Sequence, residues 1–306
     1  MLKIISPANR HLTNRPALAD FTRYWTESHG PLFSNTKLLW GYVQHHTLPE
    51  AFEGTPKPTF DGASVFYYES LDALRNPLTT SEALALREEV GKDDRQLFDR
   101  SDTWPMHLKR ASVVGTEKVL LDGAVTPSMV KLVLLVSRLP GLTIEQFVEH
   151  WQEVHAPLVM RLPGLRRYVQ NQPVLEAYGV RGMSHDGWAE LWFDDLAALQ
   201  AAYASPQWSA VRDDSAMLFA EPRGVIIARE TVQKWDYKAT TTFDVSQLSE
   251  DDVRRRLEQE GYRSLAADPD APGKILAASR AGLLAVWTNE HLVTTDASRI
   301  DARPER

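Results

Sequence analysis

Two histidines lie in closely similar stretches of the chain, FTRYWTESHGPL and FVEHWQEVHAPL. His29 in the first stretch and His155 in the second are each followed thirteen residues later by a tyrosine, Tyr42 or Tyr168. Imidazole titrates near neutral pH, and a phenol can donate a proton or stabilise an oxyanion. These four residues are therefore the candidate catalytic groups, arranged as two matching pairs suited to acid–base chemistry.

A structural interpretation competes with the catalytic one. His29 lies eleven residues after Leu18, and His155 lies eleven residues after Ile144. This spacing is about three helical turns, so each imidazole is expected on the apolar face of an amphipathic helix. A lone histidine on such a face is usually a hydrogen-bonded core residue. Both interpretations stay open, but the recurrence of the His–Tyr pair in different surroundings favours a function.

Further polar and aromatic side chains accompany the two pairs. On a strand, alternation sends His45 to one face and Gln44 and His46 to the other. The histidines His29, His45 and His46 lack a compact ligand spacing and a matching carboxylate, so no metal site is predicted. The candidate substrate-binding residues are Tyr24, Trp25, His45, His46, Trp151 and Asn171.

Several acidic residues receive a structural interpretation. Glu190 interrupts the strand-like run WAELWF, where Val65 holds the matching place in the other copy, and it is expected at an exposed edge. The pairs Asp93-Asp94 and Asp213-Asp214 fall on predicted helices. They are expected to be solvated or to cap these helices.

The histidine stretches belong to a longer internal repeat. Tyr42-Val43-Gln44 recurs as Tyr168-Val169-Gln170, at the same offset as the two histidines. Asp61-Gly62 then recurs as Asp186-Gly187 after a gap of one residue. Because the matches keep their order, they indicate a duplicated domain. The expected organisation is a first repeat over 1–116, a linker over 117–129, a second repeat over 130–234 and a C-terminal extension over 235–306.

Each copy has the pattern of a ferredoxin-like unit, with elements in the order β-α-β-β-α-β. Pro31 and Pro157 are expected to end the first helix of each copy, because proline lacks the N–H and clashes with the preceding turn. A four-stranded sheet with helices on one face must bury its other face. The predicted fold is therefore α+β, an intrachain version of the dimeric α/β barrel, with an interior large enough for a small ligand. In the extension, SEDDVRRRLEQEGY is expected to form a helix and GLLAVWT a strand.

Composition limits the classes of function. The chain has 306 residues, a net charge of -7 and no Lys/Arg-rich run, which argues against nucleic-acid binding. The absence of cysteine excludes disulfides, thiolate nucleophiles and iron–sulfur clusters. The sequence suggests neither a secretory signal nor a membrane span, so a cytoplasmic location is expected. The sequence contains no P-loop, no G-x-G-x-x-G after a strand and no G-x-S-x-G elbow.

The motifs FxxxWxxxHxPL, Y-V-Q and the later Asp-Gly resemble the EthD-like branch of the dimeric α/β barrel proteins. The second copy is the closer match, since the first lacks Leu-Pro-Gly before its tyrosine. The resemblance covers both repeats but not the extension. It implies cofactor-free enzymes of small-molecule metabolism, similar to EthD-type polyketide dehydratases and a muconolactone methylisomerase. It also implies that His29 and Tyr42, and His155 and Tyr168, face the substrate.

These observations lead to a hypothesis of function. A cofactor-independent lyase or isomerase would act on a small aromatic, polyketide-like or lactone metabolite, with histidine moving a proton and tyrosine stabilising the oxyanion. The alternatives are a non-catalytic protein that binds a hydrophobic metabolite, and a haem or monooxygenase-type barrel enzyme. The first repeat is slightly preferred as the catalytic copy, because Tyr24, His45 and His46 equip it with more polar groups. A homodimer is possible.

Overall fold

A computed structural model describes most of both repeats and four short strands of the extension. The described residues are 2–36, 39–68, 71, 80–99, 113–126, 128–178, 183–221, 223–235, 242–244, 274–280, 283–287 and 291–296. Within this part, the first repeat holds strands β1 (Leu2–Ala8), β2 (Leu39–Thr47), β3 (Gly62–Tyr68) and β4 (Val113–Leu121), with helices α1 (Leu18–Tyr24), α2 (Gly30–Ser34) and α3 (Ser81–Leu97). The second repeat holds β5 (Val130–Val136), β6 (Leu165–Pro173), β7 (Gly187–Phe193) and β8 (Gly224–Trp235), with α4 (Ile144–His150), α5 (Ala156–Val159), α6 (Leu196–Tyr203) and α7 (Pro206–Leu218).

The eight strands of the two repeats close into one antiparallel barrel, in the order β1-β3-β2-β8-β5-β7-β6-β4. Within each repeat the order is that of the ferredoxin-like unit. Between the repeats, β2 pairs with β8 and β4 pairs with β6. The prediction of an α+β chain with two tandem ferredoxin-like repeats in one barrel is confirmed. Closure leaves no sheet edge in the barrel, and it gives each repeat a share of one common interior.

The first helix of each repeat continues past its proline, contrary to the prediction. Residues Trp25–His29 form one π-helical turn between α1 and α2, and Trp151–His155 form another between α4 and α5. Pro31 and Pro157 then fall in the first turn of α2 and α5. The helix bonds up to the residue before each proline, since the Gly30 and Ala156 N–H groups bond the Trp25 and Trp151 carbonyl oxygens. In the first repeat a side chain supplies a further donor to this turn, because Gln233 Nε2 donates to the Thr26 carbonyl oxygen at 3.0 Å.

The segment between the repeats is partly strand. β4 continues past residue 116 to Leu121, and it pairs with β6 from Gly115 to Leu121. The residues of β4 beyond 116, which were expected to be linker, thus form part of the seam between the repeats.

Residues Met1–Trp235 form one compact unit and Asp236–Arg306 form a second. The strands described in the second unit are β9 (Thr242–Asp244), β10 (Lys274–Arg280), β11 (Leu283–Trp287) and β12 (His291–Asp296), in the order β10-β11-β12-β9. β11 confirms the strand expected at GLLAVWT, whereas the other three strands were not predicted. The expected helix SEDDVRRRLEQEGY and the last ten residues lie outside the described residues.

The repeated Asp-Gly dipeptide links a loop to the barrel. Asp186 accepts hydrogen bonds from the backbone N–H and the guanidinium of Arg138, at 2.8 and 2.5 Å. Asp61 binds Arg10 in the same way. The glycine that follows each aspartate lets two layers approach closely. A Cβ atom on Gly187 would lie 2.6 Å from the Asn171 carbonyl oxygen and 2.9 Å from the Trp151 ring.

We expect Gly187→Ala to lower the free energy of unfolding by about 1–3 kcal/mol, because the added methyl overpacks the contact between β7 and the Trp151 ring. Chemical denaturation measures the change. Gly91→Ala in α3 is the matched control, since a Cβ there has its nearest neighbour at 3.7 Å. This control should stabilise the chain by about 0.5–1 kcal/mol through helix propensity. Equal effects of the two changes would contradict the close approach.

Candidate active site

Each predicted histidine is held by an aspartate from the second helical segment of its repeat. His155 Nδ1 lies 2.7 Å from Asp214 Oδ2, and His29 Nδ1 lies 2.7 Å from Asp93 Oδ2. A carboxylate accepts hydrogen bonds, so the Nδ1 atom of a neutral imidazole carries the proton and Nε2 is left as the base. The expectation that Asp93 and Asp214 are solvated or capping residues is therefore wrong. They orient the two histidines.

The second oxygen of each carboxylate has a different partner in the two repeats. Tyr24 donates its hydroxyl proton to Asp93 Oδ1 at 2.6 Å, whereas His150 Nε2 lies 2.9 Å from Asp214 Oδ1. Tyr24, a predicted substrate-binding residue, is thus part of the hydrogen-bond network of His29. That hydrogen bond to the carboxylate raises the pKa of Tyr24 above its usual value.

The Y-V-Q motif ties each tyrosine to the π-helical turn. Gln170 Nε2 donates to the Trp151 carbonyl oxygen at 2.8 Å and to the Tyr168 hydroxyl at 2.9 Å. In the first repeat, Gln44 makes the same two bonds to Trp25 and Tyr42, at 2.9 and 3.0 Å. The glutamine therefore positions the tyrosine and the turn that carries the histidine.

The two repeats differ in how their donors are satisfied. Trp25 Nε1 donates to the Tyr42 hydroxyl at 2.9 Å, and that hydroxyl lies 3.4 Å from Ser64 Oγ. In the second repeat Ala189 replaces the serine, as the strand registers show. The Trp151 indole N–H, although close to the Tyr168 phenol, finds no hydrogen-bond partner among the described residues.

The second carboxylate of the Asp93-Asp94 pair also distinguishes the repeats. Asp94 Oδ1 lies 3.6 Å from His29 Nε2, so both ring nitrogens of His29 have an acidic neighbour. Ser215 follows Asp214 in the second repeat and brings no such charge to His155. Among the described residues, His155 is thus paired with an acidic side chain only through its Nδ1 atom.

Burial sets the protonation states of these groups. It lowers the pKa of His155 below its usual value, although Asp214 opposes the shift, so that the imidazole stays neutral near pH 7. Burial raises the pKa of Tyr42 to about 12, and it raises the pKa of Tyr168 further. Both phenols are therefore protonated donors at neutral pH.

Neither histidine hydrogen-bonds the tyrosine of its own repeat in the described part of the chain. In the first repeat an aromatic ring connects the two instead. The Phe33 ring centroid lies 6.0 Å from that of His29 and 5.1 Å from that of Tyr42. In the second repeat the Phe219 ring meets the edges of both His155 and Trp151, at 5.1 and 5.9 Å. Each histidine thus borders the same aromatic layer as its tryptophan or tyrosine.

The remaining predicted residues divide between two layers. His46 lies with Trp25 between the helices and the sheet, at 5.1 Å between ring centroids, and its Nε2 is 3.0 Å from Gln44 Oε1. His45 and Asn171 lie on the opposite face of the sheet, inside the barrel, where they join Glu230 and Glu190. The alternation predicted for Gln44, His45 and His46 is therefore correct.

Glu190 was expected at an exposed edge, and this expectation is wrong, because its side chain is 1% exposed inside the barrel. Its Oε1 accepts from Lys3 at 2.5 Å, and its Oε2 accepts from Lys131 at 2.7 Å. Although burial favours the neutral acid, the two ammonium groups hold the pKa of Glu190 well below its usual range. The lysines could have signalled this site, since each opens an otherwise apolar strand.

Among the described residues, no group of three or more His, Asp or Glu side chains is arranged so that it could hold a metal ion. In the same part of the chain, no helix is both long and apolar enough to cross a bilayer.

Comparison with known proteins gives a match to the EthD domain at residues 17–101 and again at 139–223, together more than half of the chain. No curated protein matches. A solved EthD family protein from Bacillus halodurans is 28% identical, with a TM-score of 0.30, over 34% of this chain and 99% of that chain. An anthrone oxidase-like protein is 9% identical, with a TM-score of 0.49, over 78% and 96%. The cofactor-independent oxygenase SnoaB from Streptomyces nogalater is 20% identical, with a TM-score of 0.24, over 34% and 96%.

His46 makes the fold sensitive to acid. Burial and the neighbouring His45 lower the pKa of His46 to about 4, while an unfolded histidine titrates near 6.5. The unfolded chain therefore takes up a proton first as the pH falls. Up to roughly 3 kcal/mol of stability, fully present above pH 6.5, should be lost as the pH falls through the folded pKa.

We expect His46→Gln to lose less stability than the parent chain between pH 7 and pH 4.5, measured by denaturant unfolding at each pH. Glutamine is the residue that the second repeat carries at this place, as Gln172. The reciprocal variant Gln172→His should become more acid-sensitive. Parallel stability curves for His46→Gln and the parent would contradict the low pKa of His46.

Proposed function

The chain belongs to the EthD family and contains two copies of its domain, and on this premise we propose that it is an acid–base catalyst. Its substrate is a small hydrophobic molecule with a carbonyl or enolisable oxygen, such as a lactone or an aromatic polyketide. The reaction is a proton-transfer isomerisation or an elimination of water, which histidine and tyrosine can carry out without a cofactor.

One observation supports the proposal most directly. In the same helix–sheet layer as the His155–Asp214 pair, the second repeat holds two buried donors for which the described residues show no acceptor. One is the Trp151 indole N–H. The other is the hydroxyl proton of Tyr168, because its oxygen accepts from Gln170 Nε2 and Ala189 stands where the first repeat has Ser64. A buried donor without a partner costs about 1–3 kcal/mol, so a ligand that supplies an acceptor oxygen gains that energy on binding.

The roles of the residues follow from their protonation. His155 Nε2 takes a proton from the carbon next to the substrate carbonyl, while Asp214 holds the Nδ1–H and stabilises the imidazolium that forms. Negative charge moves to the carbonyl oxygen, where Tyr168 and Trp151 donate hydrogen bonds to it. The imidazolium then returns the proton to another carbon in an isomerisation, or to a leaving hydroxyl in a dehydration.

The same reasoning favours the second repeat as the catalytic copy. In the first repeat Trp25 donates to Tyr42, Ser64 stands near the Tyr42 hydroxyl, and Asp94 faces His29 Nε2. These groups satisfy one another and leave less for a ligand. The slight preference for the first repeat, which rested on its number of polar groups, is therefore replaced by a proposal for the second.

A second candidate function is binding without turnover. The unsatisfied donors of Trp151 and Tyr168 favour any ligand with an acceptor oxygen, whether or not a proton moves afterwards. Binding alone would raise the melting temperature without consuming the ligand. Measuring both quantities on the same sample separates the two functions.

We expect His155→Asn to lower kcat by about 10²–10⁴ and Tyr168→Phe by about 10²–10³, because they remove the base and an oxyanion donor. The isomerisation of α-angelica lactone and its proton exchange in D₂O, followed by NMR, measure the rate. Aryl ketones and β-hydroxy ketones extend the test to other enolisable groups.

The matched controls are His29→Asn and Tyr42→Phe in the first repeat, which should leave the rate nearly unchanged. Circular dichroism checks that all four variants fold. If no compound exchanges faster than in buffer, catalysis is disproved. If the first-repeat variants lose activity instead, the assignment to the second repeat is wrong.

A smaller change tests the unsatisfied donors themselves. Ala189→Ser should give the Tyr168 hydroxyl an internal acceptor, as Ser64 offers to Tyr42, and weaken ligand binding by up to about tenfold, the value of one hydrogen bond. Ser64→Ala in the first repeat is the control and should not affect binding. Equal affinities of Ala189→Ser and the parent, by isothermal titration calorimetry, would contradict this role of Tyr168.

A further inference from the structure

The barrel interior holds a second cluster of charged side chains, separate from both helix–sheet layers. Lys3 on β1 and Lys131 on β5 occupy equivalent places in the two repeats, and each is 2% exposed. Lys3 donates to Glu117 at 2.7 Å, and Lys131 donates to Glu230. These two ion pairs are related by the internal duplication, because Glu117 and Glu230 occupy equivalent places on β4 and β8.

Glu190 breaks this symmetry. It lies between the two lysines and binds both, whereas the first repeat has Val65 at the equivalent place. Trp188 Nε1 and Asn171 Nδ2 also donate to Glu190 Oε1, at 2.8 and 3.0 Å. Among the described residues, the cluster thus holds two ammonium groups and three carboxylates. The nearby Arg167–Asp122 ion pair, which shares the Trp192 ring with Lys131, is balanced in itself.

The excess carboxylate is not balanced by His45. Burial and the neighbouring Lys131 lower the pKa of His45, which keeps the imidazole neutral. Its Nε2 lies 3.1 Å from Glu230 Oε1, which can only accept a hydrogen bond, and 3.4 Å from Lys131 Nζ, which can only donate one. The shorter contact, to the carboxylate, places the proton on Nε2. The lone pair is then on Nδ1, which has no partner among the described residues although His45 is 1% exposed.

Asn171 provides a second unsatisfied acceptor. Its amide nitrogen donates to Glu190 Oε1 and to the Trp188 carbonyl oxygen, both of which are acceptors, so the orientation of the amide is fixed. Asn171 Oδ1 is then left without a partner in the described part of the chain, on a fully buried side chain. Asn171 and His45 are equivalent residues of β6 and β2, and both adjoin the carboxylate cluster.

We propose that the barrel interior binds a small organic ammonium ion, with His45 Nδ1 and Asn171 Oδ1 as hydrogen-bond acceptors and the excess carboxylate charge as its counter-ion. A protonated primary amine supplies the two things that the cluster lacks, one positive charge and N–H donors. Glu117 and Glu230, whose side chains are 29% and 30% exposed, connect the buried cluster to solvent. The aromatic rings near the two lysines suit a weakly hydrated organic cation.

The test measures the melting temperature of the full chain in methylammonium, tetramethylammonium or potassium chloride at equal ionic strength. Methylammonium should raise the melting temperature by about 2–4 °C in a saturable way. Tetramethylammonium, which has no N–H, should raise it less, and so should potassium. If all three salts act alike, or if potassium reproduces the effect of methylammonium, the proposal is overturned.

Two variants locate the effect. His45→Phe removes one acceptor without changing the charge, and Glu190→Gln removes the excess negative charge. In each variant, methylammonium and tetramethylammonium should raise the melting temperature by the same amount. His29 lies outside the barrel interior, so His29→Asn is the control. In this variant methylammonium should still raise the melting temperature more than tetramethylammonium does. If Glu190→Gln does not fold, His45→Phe alone decides the question, and a persisting methylammonium effect in it disproves the site.

Discussion

The hydrogen bond from the Y-V-Q glutamine to a tryptophan carbonyl is the contact on which both helix–sheet layers depend. Gln170 joins β6 to the first residue of the π-helical turn, and Gln44 does the same for β2. The π turn directs the carbonyl of Trp151 to the N–H five residues later, and the glutamine supplies its second donor. The turn ends at His155, so one side-chain amide positions both the tyrosine and the backbone that carries the histidine, whose ring Asp214 orients.

Duplication gives this arrangement twice in one chain, and the two copies have diverged through a few residues. Ser64 in the first repeat corresponds to Ala189 in the second, Tyr24 corresponds to His150, and His45 corresponds to Asn171. These differences leave the strand order of the two repeats the same. They change which polar atoms are satisfied by the protein itself. In a duplicated fold, that balance is a more direct guide to function than the number of polar residues in each copy.

Much of the fold was predictable because its signals are local or periodic. The recurring order of motifs gave the duplication, and strand alternation placed His45 opposite His46. The partners of the histidines were not predictable in the same way. Asp214 lies far from His155 in sequence, and an acidic pair on a helix is normally solvated. The prediction that Glu190 lies at an exposed edge was wrong for a related reason. The lysines that neutralise Glu190 come from β1 and β5, and only the closure of the barrel brings them together.

The alternation of side chains along β2 and β6 makes each strand serve two environments. Gln44 and Gln170 point to the helices and hold the π turns, while His45 and Asn171, one residue later, point into the charged interior. A shift of either strand by one residue would exchange the two faces, leaving the π turn without its donor and burying the glutamine among the interior charges. The interior charges and the helix–sheet layers therefore require the same register. Substitutions in either layer therefore act on the stability of the same strand register.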